Sequence, residues 1–156
     1  MLFILFHIGE DRYVIDAKKV LEVIPLVKLN NFSSAPGYIA GLCNYRGTPV
    51  PTIDIRYLLD NIASQQFMST RILIVEYSGF ENSEHLLGVI AENAIETIVL
   101  EESSFRQAAL QSSEQNFASR IMTDARGIIQ WVTVEQLVSS RDRDILYGSA
   151  AAESGK

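Results

Sequence analysis

Two histidines, one cysteine and a scatter of carboxylates are the groups in this chain that could carry chemistry. His7 lies in an apolar run and His85 in a polar loop, and neither has a second ligand at metal-binding spacing. Structural or solvated roles are the ordinary fate of isolated histidines. Cys43 stands in Ile39-Ala40-Gly41-Leu42-Cys43, with no basic neighbour in sequence to lower its pKa, and reads as a small buried hydrophobe. Asp11, Asp16, Asp54 and Asp60 fall at turns or at the starts of short helices, where capping accounts for them. A carboxylate pair meeting only in space stays open as a route to acid–base chemistry. Gly41 and Gly47 precede Thr48 without the lysine of a phosphate loop, and neither a Gly-x-Gly-x-x-Gly nor a Gly-x-Ser-x-Gly motif occurs. The expectation is a protein with no catalytic residue, no metal site and no cofactor.

Composition narrows the partners. Thirteen basic residues against nineteen acidic ones give a net charge of −6, and the basic ones are dispersed, with Lys18-Lys19 the closest pair. Nucleic acid and anionic membrane both require clustered Lys and Arg, so neither fits. At 47% hydrophobic and 21% charged, the 156 residues can bury a sizeable core, as one domain or two small ones sharing an interface. The apolar start Met1–Phe6 stops at His7, with no basic leader and no small-residue cleavage site, so it fails as a secretory signal. No apolar stretch approaches the roughly 18 residues of a membrane span. A soluble, cytoplasmic protein is expected, reaching a membrane only through a partner.

Strand patterns dominate the elements that must position these residues. Leu2 to Ile8 and Arg12 to Ile15 form a hairpin about Gly9-Glu10-Asp11. Asp16 caps a short helix from Ala17 to about Leu21, and Leu26 to Leu29 resumes an extended pattern. Ile39 to Arg46 and Pro49 to Ile55 follow, the prolines suiting an edge strand, and a short helix 56–59 comes after Asp54. Residues 60–70 read as a polar connection. Arg71–Tyr77, Leu86–Ala91, Ala94–Leu100, Arg120–Thr123 and Ile128–Val134 complete about ten strands, with a helical turn at Glu135–Val138. Residues 105–117 are Gln/Ser-rich and expected to be mobile, and residues 148–156 are expected to be a disordered tail. The strand count divides near residues 60–70 into two halves of about five.

Trp131, within Ile128–Val132, is read as a packing residue, whereas Tyr38 and Tyr45 flank a glycine-containing segment and could be partly exposed. That segment carries a resemblance. Pro36-Gly37-Tyr38-Ile39-Ala40-Gly41-Leu42-Cys43-Asn44-Tyr45-Arg46-Gly47-Thr48-Pro49-Val50-Pro51-Thr52-Ile53-Asp54-Ile55-Arg56 resembles the signature of CheW-like domains, with its Asn-x-Arg-Gly turn, Val-Pro pair and Asp-aliphatic dipeptide. Phe6, Gly9, Tyr13, Ile15-Asp16 and Val20-x-Glu22-Val23 are similar to that family's opening hairpin and helix, and Leu87–Ile90 and 128–137 match more loosely. The likeness covers about residues 3–138.

The resemblance implies an all-β fold of two packed five-stranded SH3-like barrels with a few short helices, as a single CheW-like domain over residues 1–147. It implies a non-catalytic adaptor that couples chemoreceptors to a CheA-type histidine kinase. The kinase's regulatory domain would bind a barrel end, and the receptor's helical tip an apolar groove between the barrels. Carried over by position, the partner-binding residues are Arg46, Asn44, Tyr45, Gly41, Val20 and Glu22. A salt bridge from Arg46 to Asp54 is the structural alternative for Arg46, tight backbone geometry for Gly41, and core packing for Val20. Tyr45 in place of Leu, Thr97 in place of an aliphatic groove residue, and Glu92-Asn93 in place of Asp-Gly depart from the family pattern. Such departures suit a specialised member with a different receptor or a non-flagellar output. A small-molecule-binding β-barrel module is the competing class, and its groove would hold converging polar groups rather than an apolar helix seat.

Overall fold

The computed structural model describes residues 1–32, 35–80, 83–108, 118 and 120–148. The tail at 149–156 and residues 109–117 of the Gln/Ser-rich stretch lie outside the described residues. Among the described residues ten strands are present: β1 (Leu2–Ile8), β2 (Asp11–Asp16), β3 (Val20–Pro25), β4 (Ile39–Tyr45), β5 (Thr48–Asp54), β6 (Arg71–Phe80), β7 (Ser83–Val99), β8 (Arg106–Gln107), β9 (Arg120–Asp124) and β10 (Gly127–Trp131). Helical structure is confined to short pieces, among them α1 (Ile55–Asp60), α2 (Ser140–Arg143) and the wide turn Asp144–Gly148 that follows α2.

The all-β fold with two five-stranded units is present, but the chain does not divide in sequence order. One unit is the ladder β3-β6-β7-β5-β4. The other joins the far half of β7 to β1, β2, β10 and β9, with the two-residue β8 at its edge. The first hairpin therefore belongs with the last strands, and a cut near 60–70 would split the first unit. The cause is non-local pairing: β1 lies antiparallel to β7, and β2 lies parallel to β10. β7 runs through both units as one strand. Its bend is at Asn93, a non-glycine residue with φ of 52°, next to a register shift against β1. Asn tolerates the left-handed region better than most residues, so it serves where glycine would be expected. Glu92-Asn93 is thus a bulge within a strand rather than a turn between two.

Alternation along the strands sorts the apolar residues into three cores. Phe3 and Leu5 of β1 pack with Val14, Ile129 and Trp131 inside the second unit. Cys43, Val50, Ile72, Ile74 and Ile90 fill the first. The intervening positions, including Ile4, Phe6, Leu73, Val75, Leu87 and Val89, form a central core. Strands buried on both faces read as continuous apolar runs, which is the pattern of 3–6 and 72–75. Leu146 and Tyr147 also enter the central core, and the Tyr147 ring stacks on Tyr77 at 5.4 Å.

Two expected caps are in place. The Asp16 carboxylate accepts from Lys18 N–H at 3.0 Å, and Asp54 accepts from the N–H groups of Arg56 and Tyr57 at 3.2 and 3.4 Å. The helix after Asp16 is only one turn, Ala17–Lys19, because Val20 already enters β3 opposite Val75. The segment Leu26–Leu29 expected to be extended is irregular and ends at a single bridge from Asn30 to Leu42. β5 is no edge strand, since β7 joins it from Thr52 onward. Pro49 and Pro51 precede that contact, where β4 is the strand recorded beside them. A proline without an N–H is tolerated there.

Candidate functional site

The β4–β5 hairpin turns on two residues, Arg46 and Gly47, with φ of 52° and 85°. Positive φ at both central positions is the tight turn whose twist matches a hairpin. Gly47 adopts it freely. Arg46 does so at a cost of about 1–2 kcal/mol. Asn44 locks the corner, its Oδ1 accepting from Gly47 N–H at 2.9 Å. The Arg46 side chain is 76% exposed.

β3 supplies the other half of the site. Glu22 Oε1 accepts from Arg46 Nη2 at 2.9 Å and from the Tyr45 hydroxyl at 2.7 Å. The guanidinium also lies 5.3 Å from the centre of the Tyr45 ring. Bonding to the Glu22 carboxylate raises the Tyr45 hydroxyl pKa above its usual value, with burial adding to this and Arg46 opposing it. Glu22, Tyr45, Arg46 and Asn44 are thus brought together. The side-chain bridge from β3 to β4 crosses a seam where no backbone ladder joins these two strands.

Asp54 is not the partner of Arg46. Its oxygens cap α1 and accept from Ser64 N–H at 2.8 Å and Ser64 Oγ at 2.5 Å, so the carboxylate is already engaged. Gly41 is a backbone position: a Cβ there would come within 2.4 Å of the Asn30 carbonyl oxygen, at φ of 147°. Val20 is half-buried against the central core. Both therefore act through backbone fit and core packing, apart from the Glu22–Tyr45–Arg46 bonds.

Other exposed apolar residues had no clear signal in sequence. Leu2 and Val99 face each other across β1 and β7 at 47% and 70% exposure, and the next pair on that face is the buried Ile4 and the exposed Thr97. Thr97 interrupts this strip with a hydroxyl. Leu21 and Val23 are exposed on β3. An alternating polar pattern would have revealed them, but Val20–Pro25 has only Glu22 as a polar residue.

The remaining chemistry-bearing groups are absorbed by the fold. Cys43 is fully buried, and desolvation pushes its thiol pKa up. His85 lies 4.6 Å from the Tyr147 ring, and His7 sits half-buried in β1. Among the described residues no cluster of three potential metal ligands is found, and no helix is long and apolar enough to cross a membrane.

An all-β scaffold with a rigid, charged hairpin on its surface is the class of protein this geometry defines. Its fold matches the crystal structure of the scaffolding protein TtCheW from Thermoanaerobacter tengcongensis, with a TM-score of 0.76 over 88% of this chain and 87% of that one, at 23% identity. Residues 2–142 match the CheW-like domain, and the chain belongs to that family. Chemotaxis protein CheW of Helicobacter pylori is 25% identical over 73% of this chain, and that of Klebsiella aerogenes 22% over 90%. That of Bacillus subtilis is 29% identical over 67%. The matched regions span 66%, 82% and 64% of those three relatives.

Proposed function

We propose that this protein is a non-catalytic adaptor in a chemosensory complex, joining chemoreceptors to a CheA-type histidine kinase. The observation that carries this reading is the Glu22–Tyr45–Arg46 cluster, an exposed ion pair fixed on a strained turn with little role in the core. Its family membership and the names of its relatives support the pathway. Arg46 and Tyr45 offer a cation and an aromatic ring, the residue types that most often anchor a protein interface. Asn44, Gly41, Val20 and Glu22 hold or flank them. The regulatory domain of the kinase is the partner assigned to this end. The exposed patch of Leu2, Thr97 and Val99 suits the helical tip of a receptor, which lays an apolar face against such a surface. Thr97 favours a tip with a polar residue at the facing position, as in a receptor feeding a different output. Residues 1–147 act as one domain, located in the cytoplasm near the membrane through the receptors.

Binding of the purified kinase regulatory domain and of a receptor-tip fragment tests this directly. Arg46→Glu is expected to reduce kinase binding by more than about tenfold, the scale of a lost hydrogen-bonded charge at an interface, and to leave the melting transition in place. Failure of the wild-type protein to bind either partner would sink the proposal.

A further inference from the structure

A cleft of about 460 Å³ lies at the other end of β4 from the Arg46 hairpin, among Tyr38, Tyr57, Asn61, Gln136, Arg141 and Asp142. Tyr38 directly precedes β4 and Arg46 directly follows it, so the two ends are about 25 Å apart at strand rise. The cleft has the size of a small-molecule site. What distinguishes it is Asp142. This carboxylate is 4% exposed, yet only Oδ2 has a hydrogen-bond donor, the Tyr38 hydroxyl. Oδ1 is buried and accepts no hydrogen bond. The cation paired with it, Nε of Arg141, is 4.0 Å away on a side chain that is 90% exposed. An unsatisfied buried oxygen of this kind is costly, and native proteins generally supply it with a partner.

From this geometry we infer that the cleft is a binding site for a compact organic cation, an alkylammonium or alkylguanidinium group. A donor on that group completes Asp142 Oδ1 and displaces Arg141, whose long pair is too exposed to hold it firmly. Tyr38 and Tyr57 line the cleft, and aromatic rings are groups that attract such cations. Asn61 and Gln136 supply carbonyl acceptors for its remaining N–H groups. Tyr38 keeps its proton throughout, since burial first and the bond to Asp142 second raise its pKa far above neutrality. The hydroxyl therefore remains a donor to Oδ2 and leaves Oδ1 to the ligand.

The test is titration of the full chain with agmatine and choline, with glutarate as the anionic control, followed by calorimetry and by the tyrosine ring resonances. Saturable binding of a cation, with shifts at Tyr38 and Tyr57, is expected. Arg141→Ala should tighten that binding about two- to fivefold, because it removes a resident competitor with the weight of an exposed ion pair. Asp142→Asn should weaken it about ten- to hundredfold, the weight of a hydrogen bond to a charged group. Arg141→Ala also covers the case in which Asp142→Asn fails to fold, since Arg141 is on the surface and its effect has the opposite sign. A blocked peptide with a single lysine separates the sources. Tighter binding of the peptide than of the free amines assigns the cation to a partner's basic side chain, and the reverse assigns it to a metabolite. Absence of saturable cation binding, or glutarate binding that Arg141→Ala abolishes, would overturn the inference.

Discussion

The Arg46–Glu22 and Arg56–Glu92 pairs share a chemistry and differ in surroundings. Arg46 and Glu22 meet across the β3–β4 seam with side chains 76% and 38% exposed. Arg56 of α1 and Glu92 of β7 meet with side chains 17% and 6% exposed, at 2.9 Å. Glu92 Oε2 also accepts from Gln65 N–H at 3.1 Å, and Asp54 nearby in sequence to Arg56 holds Ser64. The inner pair therefore fastens the 61–70 connection and α1 to the bend of β7. The outer pair fastens little, because water competes for both charges. The contrast separates charges that define the fold from charges available to another molecule, a distinction that residue type alone does not make.

The sharpest way to break this contrast is at Glu92. Glu92→Gln removes the nearer counter-charge of Arg56, leaving Asp60 at 4.0 Å, and is expected to lower the urea midpoint clearly more than a surface substitution does. Amide exchange at Gln65 should accelerate in the same variant, since its N–H is bonded to Glu92, while Ser64, held by Asp54, should change less. If the midpoint shifts no more than it does in a surface substitution, the inner pair is not the fastening described here.

An intermediate case lies between these extremes. Arg12 Nη1 donates to Asp124 Oδ2 at 3.1 Å, a second bond joins Nη2 to Oδ1, and the side chains are 11% and 29% exposed. The guanidinium bonds, aided by the backbone N–H of Arg126, hold the Asp124 carboxyl at about 2, below its ordinary value of 3.8. A carboxyl with a depressed folded pKa favours the native state in full above its unfolded value and loses that contribution as it protonates. Stability should thus fall between about pH 4 and pH 2, and Asp124→Asn should flatten that part of the profile. An unchanged acid profile in the variant would remove Asp124 from the intermediate rank.

The same contrast explains what could be read from the residues in advance. Local signals were legible: the Asp16 and Asp54 caps and the apolar runs of β1 and β6 depend on neighbours within a few positions, whereas the strand expected through Arg46 ends at Tyr45 and the turn falls at Arg46–Gly47, as the Asn-x-Arg-Gly resemblance implies. Non-local ones were not. Val20 and Ile24 are spaced as well for a helix as for a strand, and only pairing with β6 decides for β3. The hairpin made Asp54, eight positions from Arg46, the natural partner. The actual partner, Glu22, comes from a strand whose position depends on the closing of the whole first unit. Interleaving of the units follows the same logic, since β7 pairs with strands from both ends of the chain. The motif fixed which residues belong to the candidate surface, whereas only the assembled seam shows that Tyr45 and Glu22 orient Arg46.

The smallest expected effect on folding is at the outer pair, and it is also the most informative about function. Arg46→Glu places like charges beside Glu22, yet both groups can turn into solvent. The urea midpoint should therefore move by no more than about 1 kcal/mol. Arg46→Gly goes further: it removes the pair and also relieves the left-handed strain at φ of 52°, so it should leave stability unchanged or slightly raised. A gain in stability together with loss of kinase binding would show that the turn is strained for the sake of the side chain it displays. A marked loss of stability in Arg46→Gly would instead place Arg46 with Arg56 among the residues that hold the fold, and the distinction between the two pairs would fail.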